Sequence, residues 1–447
     1  MADSVDEAKA LAENGNIADA ISMLQKVVAE SPKSTEAPML LGDYYLATGQ
    51  NDLARSAYSD ARKRGSRDAI LSLAEIATNE YAIDEARTLV EAYRKTLKKG
   101  KKVLATDESG DLTDRIDRIE TQLQRVEQVE IIDSLVVDAD EFFRSYRLGS
   151  ESGSLNSADI LPTKFSAADP TVVYKSESGQ QMIWAAPDEE GTFHLMTSSP
   201  LYGDEWEAPS ALGDHLGEGG DANYPFLMPD GVTLYFANDG ENSIGGLDIF
   251  IARHGDDGFL QPQNIGMPYN SPDNDYMLAI DELNGVGWWA TDRNHIPGKV
   301  TIYLFIPSDL RKNIDPDSPD VVSRARITSI KDTWTESSNR TDALRRVAAI
   351  STANNSDGER FQIFIPGRGV YTSYSDFKRA AARQAMQTYL EALQHYEASQ
   401  TALESLRSDY SRGKHSVASQ ITAAEQQLTA DKAKLRLLRN AVINAEK

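Results

Sequence analysis

Two internal periods constrain this chain more than any other feature. Over residues 3–104 it copies itself at a shift of 34. Ala8, Leu11, Gly15, Ala20, Leu24 and Val27 lie over Gly42, Tyr45, Gly49, Ala54, Tyr58 and Ala61. A third copy follows at a shift of 32, as Ala74, Ala77, Tyr81, Ala86, Val90 and Tyr93. Farther along, a longer period takes over. Met182-Ile-Trp-Ala185 matches Leu234-Tyr-Phe-Ala237 at 52, and that matches Gly287-Trp-Trp-Ala290 at 53. Trp206-Glu-Ala-Pro209 matches Phe259-Leu-Gln-Pro262 at 53, and Asp221-Ala-Asn-Tyr224 matches Asp273-Asn-Asp-Tyr276 at 52. A 34-residue period with small residues at fixed places predicts stacked antiparallel helix pairs. A unit of ~50 residues holding several short strands predicts a β-propeller blade.

The expected fold class is therefore multidomain α and β. An N-terminal helical solenoid spans 1–104, and a linker with a heptad-like helix spans 105–130. A β-propeller of four to six blades spans 131–372, since about five periods of ~52 residues fit that length. A C-terminal antiparallel helical hairpin or coiled coil spans 373–447, with Ser375 as N-cap and Gly413 at the turn. Leu112, Ile116, Ile119, Leu123 and Val126 recur at heptad-like spacing. That stripe is expected to join the C-terminal helices as a third strand of a coiled coil.

Composition removes several function classes. The chain of 447 residues carries 46 basic and 69 acidic side chains, a net charge of −23. A general nucleic-acid binder needs clustered Lys and Arg, so no nucleic-acid partner is expected. No Cys is present, which excludes disulfides, zinc ribbons and thiol nucleophiles. No run of ~18 apolar residues is present to span a bilayer as a helix, so any membrane association is expected to be peripheral or lipid-anchored. The first residues show neither a basic n-region nor an apolar h-region. That suits a cytoplasmic protein or the mature form of an exported one.

Leu41-Gly42, Tyr45 and Ala54 resemble the tetratricopeptide pattern, over three repeats and roughly 95 residues. The resemblance implies a surface that holds a peptide or a partner domain. Tyr224-Pro-Phe-Leu-Met-Pro-Asp230-Gly231, followed by Gly245-Gly246-Leu-Asp248-Ile-Phe250, resembles the Pro-Asp, WD-like propeller repeats of TolB-type envelope proteins. It implies a periplasmic or outer-membrane-associated protein of a Gram-negative bacterium. The third copy departs from it, with Arg293-Asn-His-Ile-Pro297 in place of Gly-Gly.

Catalytic signatures are absent from the sequence. The six His form no His-x-x-x-His pair, and neither a Gly-x-Ser-x-Gly elbow nor a phosphate loop occurs. The chain is expected to be non-enzymatic, with no cofactor and no metal. Asp239 and Asp292 end the same strand in successive copies and form a candidate carboxylate pair, although Asp at such places ordinarily caps a turn. Asp273, Asn274 and Asp275 are candidate calcium ligands, with a plain turn as the alternative. Trp184, Trp206, Trp288 and Trp289 are candidates for a sugar-stacking surface. Trp288 points to the face opposite Trp289 and is expected to be the exposed one. With Asp239 and Asp292 it makes the candidate propeller-mouth site. A basic run, Arg94, Lys95, Lys98, Lys99, Lys101 and Lys102, offers Lys98, Lys99, Lys101 and Lys102 to an anionic surface. The bland reading of that run is a solvated helix end.

The function expected from these parts is a protein–protein interaction scaffold of the cell envelope, with solenoid and propeller each docking envelope proteins or peptides. One alternative is a glycan-binding or glycan-processing propeller. Another is a regulator that captures a partner peptide.

Overall fold

The computed structural model describes residues 2–97, 108–201, 205–213, 215–256, 258–308, 310–335, 340–354, 363–365, 368–371, 376–412 and 414–446. The chain opens with three helix pairs: α1 (Ala2–Glu13) with α2 (Ile17–Glu30), α3 (Glu36–Ala47) with α4 (Asn51–Lys63), and α5 (Asp68–Asn79) with α6 (Ile83–Thr96). Each pair closes through the same turn. Gly15, Gly49 and Tyr81 take the left-handed conformation, with φ of 83, 71 and 61°. The next residue donates its N–H back to Leu11, Tyr45 or Ala77, at 2.8, 2.7 and 2.8 Å. This satisfies carbonyls that the helix end would otherwise leave open.

Small residues set the spacing within each pair. A Cβ on Gly42 would lie 2.4 Å from the Tyr58 ring. The same register holds Ala8 with Leu24 and Ala74 with Val90, all buried in one solenoid core. Only the pair with the largest partner therefore needs Gly.

α7 (Glu108–Leu123) extends the stack and belongs to two cores. Its Leu112 and Ile116 complete the solenoid core. Its Ile119 and Leu123, with Val126 just beyond, pack instead on Tyr81, Ile244, Met267 and Ala325. The heptad-like stripe is thus covered by the solenoid and the sheet region. The expected third strand of a C-terminal coiled coil is corrected. Burying each such side chain contributes ~1.5–3 kcal/mol, so the stripe joins the two regions firmly.

Three antiparallel sheets follow. The first runs β2 (Ser154–Asn156), β3 (Val173–Lys175), β4 (Met182–Pro187), β5 (Phe193–Ser198) and β6 (Ser210–Ala211) in sequence order. The second holds β7 (Ala222–Leu227), β8 (Thr233–Asn238), β9 (Asp248–Gly255) and β10 (Gly258–Phe259), with β11 (Gln263–Asn264) also paired to β9. The third joins β12 (Asp275–Asp281), β13 (Val286–Thr291) and β14 (Lys299–Ile306) to β1 (Glu130–Asp138). β1 precedes all three sheets in sequence and completes the last one, from Glu130 opposite Ile306 to Asp138 opposite Lys299. β7 and β12 each carry a bulge near their start, where Tyr224 and Met277 adopt φ of 53°.

The space between the sheets is filled. Phe142 lies 5.3 Å from Tyr276 and 5.8 Å from Tyr224, and Tyr146 lies 6.4 Å from Trp288. α8 (Val321–Arg326) and α9 (Arg340–Asn354) come after the sheets. Ala343, Val347 and Ile350 of α9 seal the same core.

Among the described residues there are three such sheets, where four to six were expected. The described residues beyond 310 form helices and one separate hairpin, β15 (Ile363–Ile365) with β16 (Gly369–Tyr371). That hairpin packs with the C-terminal helices α10 (Ala380–Ser411) and α11 (Ala418–Glu446). Val442 near the end of α11 shares a buried cluster with Met386 near the start of α10. Buried Glu446 accepts Arg368 at 2.9 Å and the N–H groups of Lys378 and Arg379 at 3.0 and 3.2 Å. Ser375 and Gly413 lie outside the described residues. Among the described residues no helix is long and apolar enough to cross a membrane.

Candidate docking site

The first helices of the three pairs present a mostly acidic face. Glu13 and Lys9 of α1 stand beside Glu36, Asp43 and Tyr44 of α3, and Glu75 of α5 continues the face. Lys9 reaches Glu36 at 2.6 Å. Tyr58 rises from α4 and donates to Asp43 Oδ1 at 2.7 Å. Burial, then the bond to Asp43, pushes its phenol far above the ordinary range. Tyr44 is raised by burial and by the Asp43 charge. Leu46 lies exposed at the end of α3 and gives the face an apolar edge. Carboxylates beside exposed apolar side chains suit a basic, partly apolar protein segment.

The face is carried on the sheet region by a polar joint under α7. Arg115 donates to Ile244 O at 2.6 Å, Asn79 Oδ1 at 2.8 Å and Pro272 O at 3.1 Å. Arg118 donates to Ser243 O at 3.0 Å. These carbonyls belong to the Gly-Gly turn before β9 and to the loop before β12. Tyr81 inserts beside them, its hydroxyl buried without a partner. Burial holds its phenol strongly protonated. The signal for this joint was present in sequence, because Tyr81 occupies the place of Gly15 and Gly49. A side chain at a left-handed position costs ~1–2 kcal/mol and persists where packing repays it.

Beneath Tyr81 lies a buried charge pair. Arg293 meets Asp275 at 2.6 Å, both almost fully buried, and also donates to Pro268 O and Tyr269 O at 3.0 and 2.6 Å. Ser271 donates its N–H and hydroxyl to Asp275, each at 2.6 Å. Burial raises Asp275 to about 6 against the pull of Arg293. Burial raises Asp248 to about 8, and one of its oxygens has no partner.

The candidate residues fall apart on this frame. Asp239 is exposed and accepts the Asp221 N–H at 2.6 Å, while Asp292 accepts the Asn274 N–H at 2.8 Å. Asp221 and Asn274 are the residues just before β7 and β12, so each carboxylate pins the entry to one of these strands. Asp292 also takes the Asn274 carboxamide at 2.7 Å, so both its oxygens are engaged. It lines an open cleft of about 540 Å³ between the end of α3 and the third sheet. In that cleft His295 approaches Asp273 at 3.3 Å. Burial raises Asp273, and His295 opposes the shift.

Trp288 is 1% exposed, which corrects its expected place on the surface. Both faces of β13 are covered, Trp289 by Tyr269 and Phe305, and Trp288 by the central core with Tyr146. Trp184 is buried as well and Trp206 is half-buried, so the four rings do not share one exposed surface. Among the described residues no group of three or more His, Asp or Glu is arranged to hold a metal ion. Asp275 is committed to Arg293 and Ser271. Of the basic run, Arg94 ties α6 to α7 through Ser109 and Thr113. Lys98, Lys99, Lys101 and Lys102 lie outside the described residues.

No curated protein matches the chain. Residues 5–69 and 39–96 match the family model described as tetratricopeptide repeat. The two matched spans together cover the helix pairs from α1 to α6, and the N-terminal solenoid is a stack of tetratricopeptide repeats, the kind of module that binds other proteins.

Proposed function

We propose that this chain is a non-enzymatic docking scaffold of the bacterial cell envelope, periplasmic or held at the outer membrane. The first-helix face of the solenoid takes a basic segment of one partner. The sheet region, read as a small TolB-like propeller, presents a second docking body. The acidic face on the repeats is the observation that carries this reading. The filled centre between the sheets supports docking on outer surfaces over chemistry at a central mouth. The envelope assignment rests on the Pro-Asp repeat resemblance over 221–276.

The test is affinity isolation of the tagged full chain from native envelope fractions, beside the double variant Glu13→Lys with Glu36→Lys. The reading expects a discrete partner that the variant loses and that rising salt weakens, because exposed charge pairs are screened. An identical set of co-purifying proteins from both chains would refute it, as would finding the chain outside the envelope.

A further inference from the structure

The outer edges of the three sheets are unlike. The first sheet ends in β6 and the second in β10 and β11, each two residues long. The third ends in β1, which has nine. A long edge strand presents a row of open N–H and C=O groups, and proteins ordinarily shorten or cover such edges. Here one half of the strand is covered. Ile131 donates its N–H to Thr333 Oγ1 at 3.0 Å and accepts Trp334 Nε1 at 2.8 Å. Ile132 O accepts Arg340 Nε at 2.6 Å.

The other half, 134–138, is open. Ala139 donates to Gly298 O at 3.1 Å, and two and four residues earlier Val137 faces Val300 and Leu135 faces Ile302. Backbone direction alternates along an antiparallel pair. Leu135, Val137 and Ala139 therefore bond β14, whereas Ser134, Val136 and Asp138 turn their N–H and C=O groups outward. The Ser134 N–H agrees with this direction, since it goes to Asp133 Oδ1 at 2.9 Å. Among the described residues nothing pairs with the outward backbone groups of Val136 and Asp138. Leu135 is 39% and Val136 54% exposed, so the stretch is apolar as well as open. Asp138 and Asp140 stand exposed at its end, with Lys299 reaching Asp138 at 2.6 Å.

We propose that residues 134–138 of β1 take one extended segment of a partner protein, added as a further strand of the third sheet. The inference rests on the reading of the sheet region as a second docking body and gives that body its contact. The outward groups of Val136 and Asp138 bond the backbone of the segment, and its alternate apolar side chains cover Leu135 and Val136. A Lys or Arg beside them meets Asp138 and Asp140. A second copy of the chain is the poorer occupant, because each copy carries a net charge of −23.

Residue-resolved hydrogen exchange on the full chain tests this. The probe is a seven-residue peptide of alternating Val and Thr with Lys at both ends. Its controls carry Glu at both ends, or Pro at the centre. With the probe, the Val136 and Asp138 amides should slow by more than about tenfold, and both controls should slow them less. Val136→Pro, which an edge strand tolerates where its N–H faces solvent, should abolish the slowing at Asp138 with little change in thermal midpoint. If that variant unfolds, Leu135→Lys with Val136→Lys keeps the test, since both side chains are exposed and the added charges repel the probe. The solenoid variant Glu13→Lys with Glu36→Lys should leave the slowing unchanged, so a failure at this edge and a failure of the solenoid face are told apart. Absence of slowing would overturn the proposal. So would equal slowing by all three peptides, undiminished slowing in folded Val136→Pro or in the Lys pair, or its loss in the solenoid variant. Protection of Val136 that rises with the concentration of the chain alone would assign the edge to a second copy and overturn it too.

Discussion

The solenoid and the sheet region are both built from repeats, but they absorb variation differently. In the solenoid a change is answered within the same helix pair. Tyr58 is accommodated by Gly42, whereas Leu24 and Val90 leave room for Ala8 and Ala74. In the sheets a change is answered by whatever covers the sheet. Asp248 of the second sheet corresponds at a shift of 53 to Thr301 of the third. Arg293 in the turn there crosses to Asp275. The solenoid copies therefore stay interchangeable, while each sheet is specialised by its surroundings.

The largest test of this contrast is Arg293→Ala. It leaves Asp275 buried without its cation, and a broken buried pair costs ~3–5 kcal/mol. Chemical denaturation should show that loss, and a loss near zero would mean the pair is not what holds the loop. Next is Gly42→Ala, which forces a Cβ into the Tyr58 ring and should cost ~1–3 kcal/mol. Adding Tyr58→Leu recreates the first repeat and should recover most of that stability. Absence of rescue would break the claim of local compensation.

Asp248 gives a pH signature specific to the second sheet. Its folded value near 8 lies above the ordinary 3.8. Between these limits the folded protein holds a proton that the unfolded chain releases, so this group makes stability fall as pH rises from about 4 to about 8. Asp248→Asn should flatten the dependence and raise the thermal midpoint more at pH 8 than at pH 5. An equal gain at both would place the effect elsewhere. The smallest expected change is Glu36→Gln. Its pair with Lys9 is exposed and screened by solvent, so thermal denaturation should show almost no change and the docking face can be altered while the repeats stay folded.

Much of this was legible from periodicity. The solenoid copies, their small residues and the strand landmarks all occupy the places that the shifts of 34 and 53 assign. Periodicity reports that a face is covered, and it is silent about the cover. The Ile116–Ile119–Leu123 stripe announced a buried helix, but its partners turned out to be the solenoid and Ile244, Met267 and Ala325. Trp288 was placed on the correct side of its strand and wrongly assigned to solvent, because central residues from far along the chain fill that side. Residues 311–371 lengthen the span from which four to six blades are expected, but those described there form helices and one separate hairpin. Asp239 and Asp292 kept equivalent roles as backbone caps, which is the ordinary behaviour of Asp in such turns.

The central claim, that the first-helix face of the solenoid docks a protein, is most directly tested by photocrosslinking in living cells. A photoreactive residue is placed at Leu46 or Glu36 on that face, and at Ser22 on α2 as the control. The account predicts one discrete protein adduct from Leu46 and Glu36 that Ser22 does not give. Equal labelling from all three positions, or no adduct from the first-helix face, would contradict it.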